Sequence, residues 1–204
     1  GVVEERRKNP TDDLASVLAN ATVDGAPLEE LDLISYFIIT ATAGHDTTSA
    51  TTAGGMKALL DSPEQLTRLM AEPGLAPGAA REMVRWVSPV RHMVRTTVQD
   101  IELHGQTIRS GENLALWYPS ANRDERALEN PDVFDIERDD RNQLAFGYGG
   151  HMCLGQHLAV LEIGIFYREL MSRLDSIELA GDPQWVEAIF VGGMKSLPVR
   201  YRFK

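Results

Sequence analysis

Residues 146–155 read Phe146-Gly147-Tyr148-Gly149-Gly150-His151-Met152-Cys153-Leu154-Gly155. The apolar spacing that follows predicts a long helix over Leu154–Leu174. Cys153, the single cysteine of the chain, then falls one residue before a helix. Unpaired N–H groups and the positive helix end favour a thiolate there. Glycines at 147, 149 and 150 let the backbone turn tightly and approach a flat ligand, because no Cβ stands in the way. Phe146 is placed to cover the sulfur from one side. Gly155 leaves room over the first helical turn for the edge of a macrocycle.

Three other readings compete. A lone cysteine is most often a small buried apolar residue. A glycine-rich loop can cradle a dinucleotide, but Gly147-x-Gly149 is followed at the required third position by Met152, and no clear strand precedes it. Cys153 with His151 two residues away could serve as nucleophile and base, but nothing else supplies the rest of such a constellation.

The rest of the composition narrows the classes. One cysteine permits neither an intramolecular disulfide nor a Cys-rich zinc site, so nothing points to an oxidising compartment. The formal net charge is -10 and the pI is near 5.0. Such a chain has no general attraction to nucleic acid, and no run of Lys and Arg makes a local exception. With 43% hydrophobic and 25% charged residues over 204 positions, there is enough apolar material for a sizeable core. The longest apolar stretch, within Leu33–Ala43, is too short and too threonine-rich to span a bilayer. Gly1 opens a polar segment (Glu4, Glu5, Arg6, Arg7, Lys8), which does not read as a signal peptide. A cytoplasmic location is expected, with neither nucleic acid nor membrane as partner.

Helices come first and mixed structure later. A short amphipathic helix is predicted over 12–20, starting near Asp12 or Asp13, with a turn at Asp24–Pro27. A long helix follows from about Leu28 to Leu60, where Leu31, Ile34, Phe37, Ile38 and Ala41 give helical spacing. Pro63 opens a helix through Met70, and another is predicted over 78–87. Short strands are predicted from Val94 to Tyr118, with turns at His104-Gly105 and Ser110-Gly111. Residues 119–150 read as mostly irregular. Strand-like pieces close the chain, including Leu197–Phe203. No linker marks a boundary, so residues 1–204 are expected to form a single partial domain.

The pattern Phe146-x-x-Gly149-x-His151-x-Cys153-x-Gly155 resembles the haem loop of the cytochrome P450 family. Other segments agree in the family's order and approximate spacing. Ala43-Gly44-His45-Asp46-Thr47 resembles the distal oxygen-binding motif. Glu82-Met-Val-Arg85 resembles the Glu-x-x-Arg helix. Pro131-Asp-Val-Phe134-Asp-Ile-Glu-Arg138 resembles the segment that adds the third member of a Glu-Arg-Arg cluster. The resemblance spans almost the whole chain and is strongest to soluble bacterial members. Residues 149–159 resemble the group that hydroxylates terpene alcohols.

The resemblance implies a mainly α fold with small β-sheets, the C-terminal half of the cytochrome P450 fold. It implies haem b with Cys153 as axial ligand to the iron, Phe146, Gly149 and Gly155 around it, and Arg95 and His151 on the propionates. A thiolate on haem iron promotes O–O cleavage, cytochromes P450 being the standing case. Ala43 and Gly44 would give a small flat patch for O2 and haem. Asp46 and Thr47 would be the catalytic pair that passes protons, and a hydroxyl there can open a local groove in a helix and order water. Six threonines within residues 40–52, together with Gly44, are poor helix material, so burial is expected to hold that segment. Glu82, Arg85 and Arg138 would form a buried structural cluster; by themselves, Glu82 and Arg85 could equally be a surface salt bridge. Val90, Met93, Phe190 and Val191 would line the substrate pocket, although apolar residues at such places are often core. No role falls to His45.

The implied activity is insertion of one oxygen atom from O2 into a small hydrophobic substrate, with a terpenoid as the class that the resemblance of residues 149–159 suggests. Electrons would come from NAD(P)H through a ferredoxin reductase and a ferredoxin. Family members are about twice this length, so the chain is expected to be a half that exposes apolar surface around residues 30–45. Two other classes stay open: a non-catalytic haem-binding fragment or pseudoenzyme, and an interaction module that needs a partner chain.

Overall fold

The computed structural model describes residues 1–139 and 141–204. It is mainly helical with small two-stranded sheets, the expected fold class. The chain divides into two compact units, Gly1–His45 and Asp46–Lys204.

In the first unit, helix α1 (Val2–Lys8) packs with α2 (Leu14–Ala19). Helix α1 is not predicted from the sequence, where residues 4–8 read only as a polar segment. Asp13 caps α2: one carboxylate oxygen accepts the Ser16 N–H at 2.6 Å, and the other takes the Arg6 Nε hydrogen at 2.7 Å. The Ser16 N–H is the main reason why the Asp13 carboxyl stays well below the usual carboxylate range. Strands β1 (Thr22–Val23) and β2 (Ala26–Pro27) form a hairpin whose loop and second strand fall on the predicted turn. Its two-residue loop has φ of 52° at Asp24 and 81° at Gly25, the left-handed pair that an Asp-Gly hairpin loop requires. The first part of α3 (Glu30–Asp61) closes this unit. Leu31, Ile34, Tyr36, Ile38 and Ile39 on it are exposed, and Leu33 is buried, so the apolar exposure expected around residues 30–45 is present.

In the second unit, α3 continues beside α4 (Pro63–Ala71) and α5 (Ala76–Val87), and β3 (His92–Thr96) pairs antiparallel with β6 (Asn113–Trp117). Between them β4 (Ile101–Leu103) and β5 (Gln106–Ile108) form a hairpin around His104-Gly105, the predicted turn. Short helix α6 (Tyr118–Ala121), the haem-loop-like turn and α7 (Gln156–Arg173) follow. Strand β7 (Leu174–Leu179) then pairs with β10 (Val199–Phe203), and β8 (Gln184–Trp185) with β9 (Met194–Ser196).

The core of this unit lies where α5 meets α7. Met83, Ala79 and Ala80 pack with Ile163, Tyr167, Met171, Leu59, Leu69 and Ile136. Each large apolar side chain buried there contributes about 1.5–3 kcal/mol. Gly54 and Gly55 belong to the same packing. A Cβ on Gly54 would lie 2.6 Å from Val87 Cγ2, and one on Gly55 would lie 2.6 Å from Met83 Cγ.

Burial explains only part of the threonine-rich helix. Thr48 and Thr51 are buried, but residues 40–46 are exposed. What the exposed part shows is local. The Thr42 hydroxyl donates to the Ile38 carbonyl at 2.9 Å, as Thr51 does to Thr47 and Thr52 to Thr48 further along. Each hydroxyl is satisfied one turn back, at carbonyls the helix already offers. Residues 40–52 all belong to α3.

Candidate functional site

The turn before α7 carries the candidate ligand. Cys153 lies three residues before Gln156, the first residue of α7, with Gly155 as N-cap; the helix therefore starts later than the apolar spacing predicted. The turn is held by its own backbone. Gly147 N–H donates to the Leu144 carbonyl at 2.9 Å, Met152 N–H to Gly149 at 3.0 Å, and Cys153 N–H to Phe146 at 2.8 Å. That last bond ties Cys153 to Phe146, whose ring packs half-buried against the core.

Gly147 and Gly149 have φ of 75° and 71°, a region where other residues are strained. At Gly147 a Cβ would also lie 3.4 Å from the Tyr118 hydroxyl oxygen. By contrast, a Cβ on Gly149, Gly150 or Gly155 would meet nothing within 4 Å. The thiol is exposed, and Leu154 beside it is 99% exposed. Met152 and Leu158 are exposed as well. The turn is thus a hydrogen-bonded backbone that presents one thiol and an apolar rim on an open side.

The other expected residues stand on separate elements. Asp46 and Thr47 lie on α3 at the start of the second unit, while Ala43 and Gly44 lie on the same helix at the end of the first. Arg95 is half-buried on β3, opposite Leu114 of β6, and its Nη1 donates to the Val94 carbonyl at 3.0 Å. It is the fourth residue of that strand, which begins earlier than the sequence suggested. His151 is exposed at the end of the single turn Gly149–His151. Val90 and Val191 form a bridge, and Arg91 N–H donates to the Phe190 carbonyl at 2.8 Å. The two candidate substrate segments are therefore brought together. Met93 and Phe190 are partly exposed there.

Glu82, Arg85 and Arg138 also come together. Arg85 uses all five of its N–H groups. Nε and Nη2 grip the two Glu82 oxygens at 2.6 and 2.7 Å, Nη1 reaches the carbonyls of Asn122 and Pro131 at 2.7 and 2.9 Å, and Nη2 reaches Val133 at 3.3 Å. Glu82 also accepts the Asp135 N–H at 3.0 Å and pairs with Arg138 at 3.2 Å. Arg123 stacks over the Trp86 ring at 4.7 Å. Burial, and secondarily the nearby Arg85 charge, lowers the Arg123 pKa.

Sequence reasoning missed Asn122, Ser88 and His92. Asn122 and Ser88 are buried and bonded to each other, Asn122 Nδ2 donating to Ser88 Oγ at 2.8 Å. Ser88 ends α5 at φ 43°, a place where glycine or asparagine is usual. His92 packs against the rings of Trp117 and Phe190, and its buried Nδ1 finds no hydrogen-bond partner. Ser88 and Asn122 follow helix ends and His92 opens β3, and a polar residue at the edge of an element carries no periodic signal that would mark it as buried.

The fold and this turn define the class: the chain belongs to the cytochrome P450 family, whose sequence model matches residues 74–188. Among individual proteins, it is 47% identical over 201 residues to cytochrome P450-terp of a Pseudomonas species, covering 98% of this chain and 47% of that protein. It is 42% identical over 202 residues to a methyl-branched lipid omega-hydroxylase of Mycobacterium bovis, covering 98% of this chain and 47% of that one. The crystal structure of CYP108D1 from Novosphingobium aromaticivorans superposes with a TM-score of 0.94 at 49% identity, covering 99% of this chain and 49% of that structure. The chain spans about half the length of the curated relatives it matches.

Proposed function

We propose that this chain is the haem-binding part of a haem-thiolate monooxygenase that inserts one oxygen atom from O2 into a small hydrophobic substrate. The observation that carries the reading is the Cys153 turn. A single thiol on an open, glycine-rich backbone suits a metal whose remaining ligands arrive with it in a flat macrocycle. Met152, Leu154 and Leu158 give that macrocycle an apolar surface to cover. Haem b bound through a thiolate supplies oxygen activation.

The chain's own residues take the other tasks. Cys153 Sγ holds the iron. The Arg95 guanidinium and the His151 imidazole offset the propionate charges, and Ala43 and Gly44 leave space on the distal helix. The Asp46 carboxylate and the Thr47 hydroxyl move protons toward the reacting oxygen. Glu82, Arg85 and Arg138 hold the backbone that leads into the turn. Val90, Met93, Phe190 and Val191 contact substrate. A terpenoid is the substrate class that the name of cytochrome P450-terp suggests. Electrons reach the site from NAD(P)H through a ferredoxin reductase and a ferredoxin. Among the described residues no helix is long and apolar enough to cross a membrane, and we propose a cytoplasmic enzyme.

A second reading rests on a different observation. Leu158, Leu161 and Ile165 are exposed along one side of α7, with Leu154 exposed in the turn before it, and Leu31, Ile34 and Ile38 are exposed along α3. These apolar rows suit a covering polypeptide, so that the 204 residues form one part of a larger domain and bind haem, or act as an interaction module, without turnover on their own. The test is the absorption spectrum of the reduced, carbon monoxide-bound chain, together with product formation. A thiolate-type spectrum with turnover supports the monooxygenase. The same spectrum without turnover supports the haem-binding fragment, and no haem uptake supports the interaction module.

A further inference from the structure

We infer that Asn122 is a positioning residue for the Cys153 turn, linking it to the end of α5; the consequence for haem rests on the reading of Cys153 as iron ligand. Asn122 follows α6 and is fully buried. Its Oδ1 accepts the Leu144 N–H at 2.6 Å, and its Nδ2 donates to Ser88 Oγ at 2.8 Å. Ser88 Oγ in turn donates to the Arg85 carbonyl at 2.8 Å. The side chain is therefore fixed at both ends of its amide, one on α5 and the other on the segment that enters the turn.

From Leu144 the connection continues through the backbone. The Leu144 carbonyl accepts the Gly147 N–H, and the Phe146 carbonyl accepts the Cys153 N–H. Few regular elements hold this entry: the chain between α6 and the turn at Gly149–His151 contains no helix or strand among the described residues. The amide of Asn122 is the side-chain group that receives the Leu144 N–H. The Leu144 N–H is partly buried, and an N–H shut away from water without its acceptor is costly, so Leu144 would be driven to move toward water. Gly147, Phe146 and Cys153 would then lose their fixed start. The Arg85 cluster is not part of this effect, because Arg85 reaches Asn122 through its backbone carbonyl, which any substitution retains.

The test uses amide hydrogen exchange of the 204-residue chain without haem, read by segment. In Asn122→Ala, exchange at Leu144, Gly147 and Cys153 is expected to quicken roughly tenfold or more, the scale of one lost buried hydrogen bond, while α5 and α7 exchange as in the parent. Asn122→Asp keeps an oxygen for the Leu144 N–H but loses the Nδ2 donor to Ser88 Oγ, so it is expected to recover much, but not all, of the protection that Asn122→Ala loses. Ser88→Ala, which removes only the anchor of the amide, is expected to fall between. Should Asn122→Ala not fold, Ser88→Ala against the parent carries the test: quicker exchange in the turn with α5 and α7 unchanged supports the link, and an unchanged turn overturns it. Uniform quickening across α5, α7 and the turn, or none in the turn, would overturn the proposal. In haem-loaded protein, Asn122→Ala is expected to lose thiolate-type carbon monoxide absorption that Asn122→Asp keeps; equal spectra would also overturn it. A parent chain that takes up no haem defeats the ligand reading alone, since the exchange comparison needs no haem.

Discussion

Arg85 grips Glu82 with two parallel hydrogen bonds, at 2.6 and 2.7 Å, and neither side chain exposes more than 1% of its surface. Removing one partner of such a pair strands the other charge in the core, at a cost of about 3–5 kcal/mol. Domains commonly hold only about 5–15 kcal/mol in all. Glu82→Gln and Arg85→Ala are expected to prevent haem incorporation, although neither is assigned a contact with iron. Haem content of soluble protein, compared with the parent, checks this. Parent-like haem content in either variant would contradict it.

The glycine pair in α3 gives a packing prediction. Gly54→Ala should gain about 1 kcal/mol of helix propensity, but its Cβ would stand 2.6 Å from Val87 Cγ2. Valine is stiff at χ1, and overpacking costs about 1–3 kcal/mol. The expected net effect is destabilisation, relieved in the double variant Gly54→Ala, Val87→Ala. Urea midpoints of the single and double variants measure it.

Tyr167 supplies a pH dependence. Its hydroxyl donates to the Thr52 carbonyl at 2.6 Å, and complete burial pushes its pKa far above the ordinary 10.0. Because the folded value is raised, the stability it contributes is fully present below about pH 10. It is lost as the pH rises above that point and the unfolded chain ionises first. The parent is therefore expected to lose more stability between pH 9 and pH 11 than Tyr167→Phe. At pH 7 the variant should be weaker by about 1 kcal/mol, one hydrogen bond. Equal slopes for the two proteins would contradict the assignment.

Thr47 bears on proton delivery. In a protein that turns over, Thr47→Ala is expected to keep haem and substrate binding but to divert electrons into hydrogen peroxide. The ratio of peroxide formed to NAD(P)H consumed checks this, and normal coupling would contradict the role.

Much of the fold was legible because its signals are local. The spacing of Leu31, Ile34 and Ile38 marked α3, Pro63 marked the start of α4, and His104-Gly105 marked the β4–β5 turn. The Cys153 stretch stood out through its resemblance to the haem loop of the cytochrome P450 family, not through the thiol itself, because a lone cysteine is most often a small buried apolar residue. What stayed hidden depends on tertiary contact. Nothing local distinguishes Gly54, pressed against Val87, from Gly44, which has open space around it. Asn122 looks like an ordinary loop residue until Ser88 and Leu144 arrive from 34 and 22 residues away. The burial expected of the whole threonine-rich segment held only from Thr48 onward, because helical threonines can also satisfy their hydroxyls one turn back.

The most direct test of the account is the reduced carbon monoxide spectrum of haem-loaded Cys153→Ser beside that of the parent. Cys153 is the only thiol in the chain, so no other residue can supply a thiolate. The expected result is a thiolate-type band in the parent and its complete loss in the variant. An unchanged band in Cys153→Ser would contradict the assignment of Cys153 as the iron ligand.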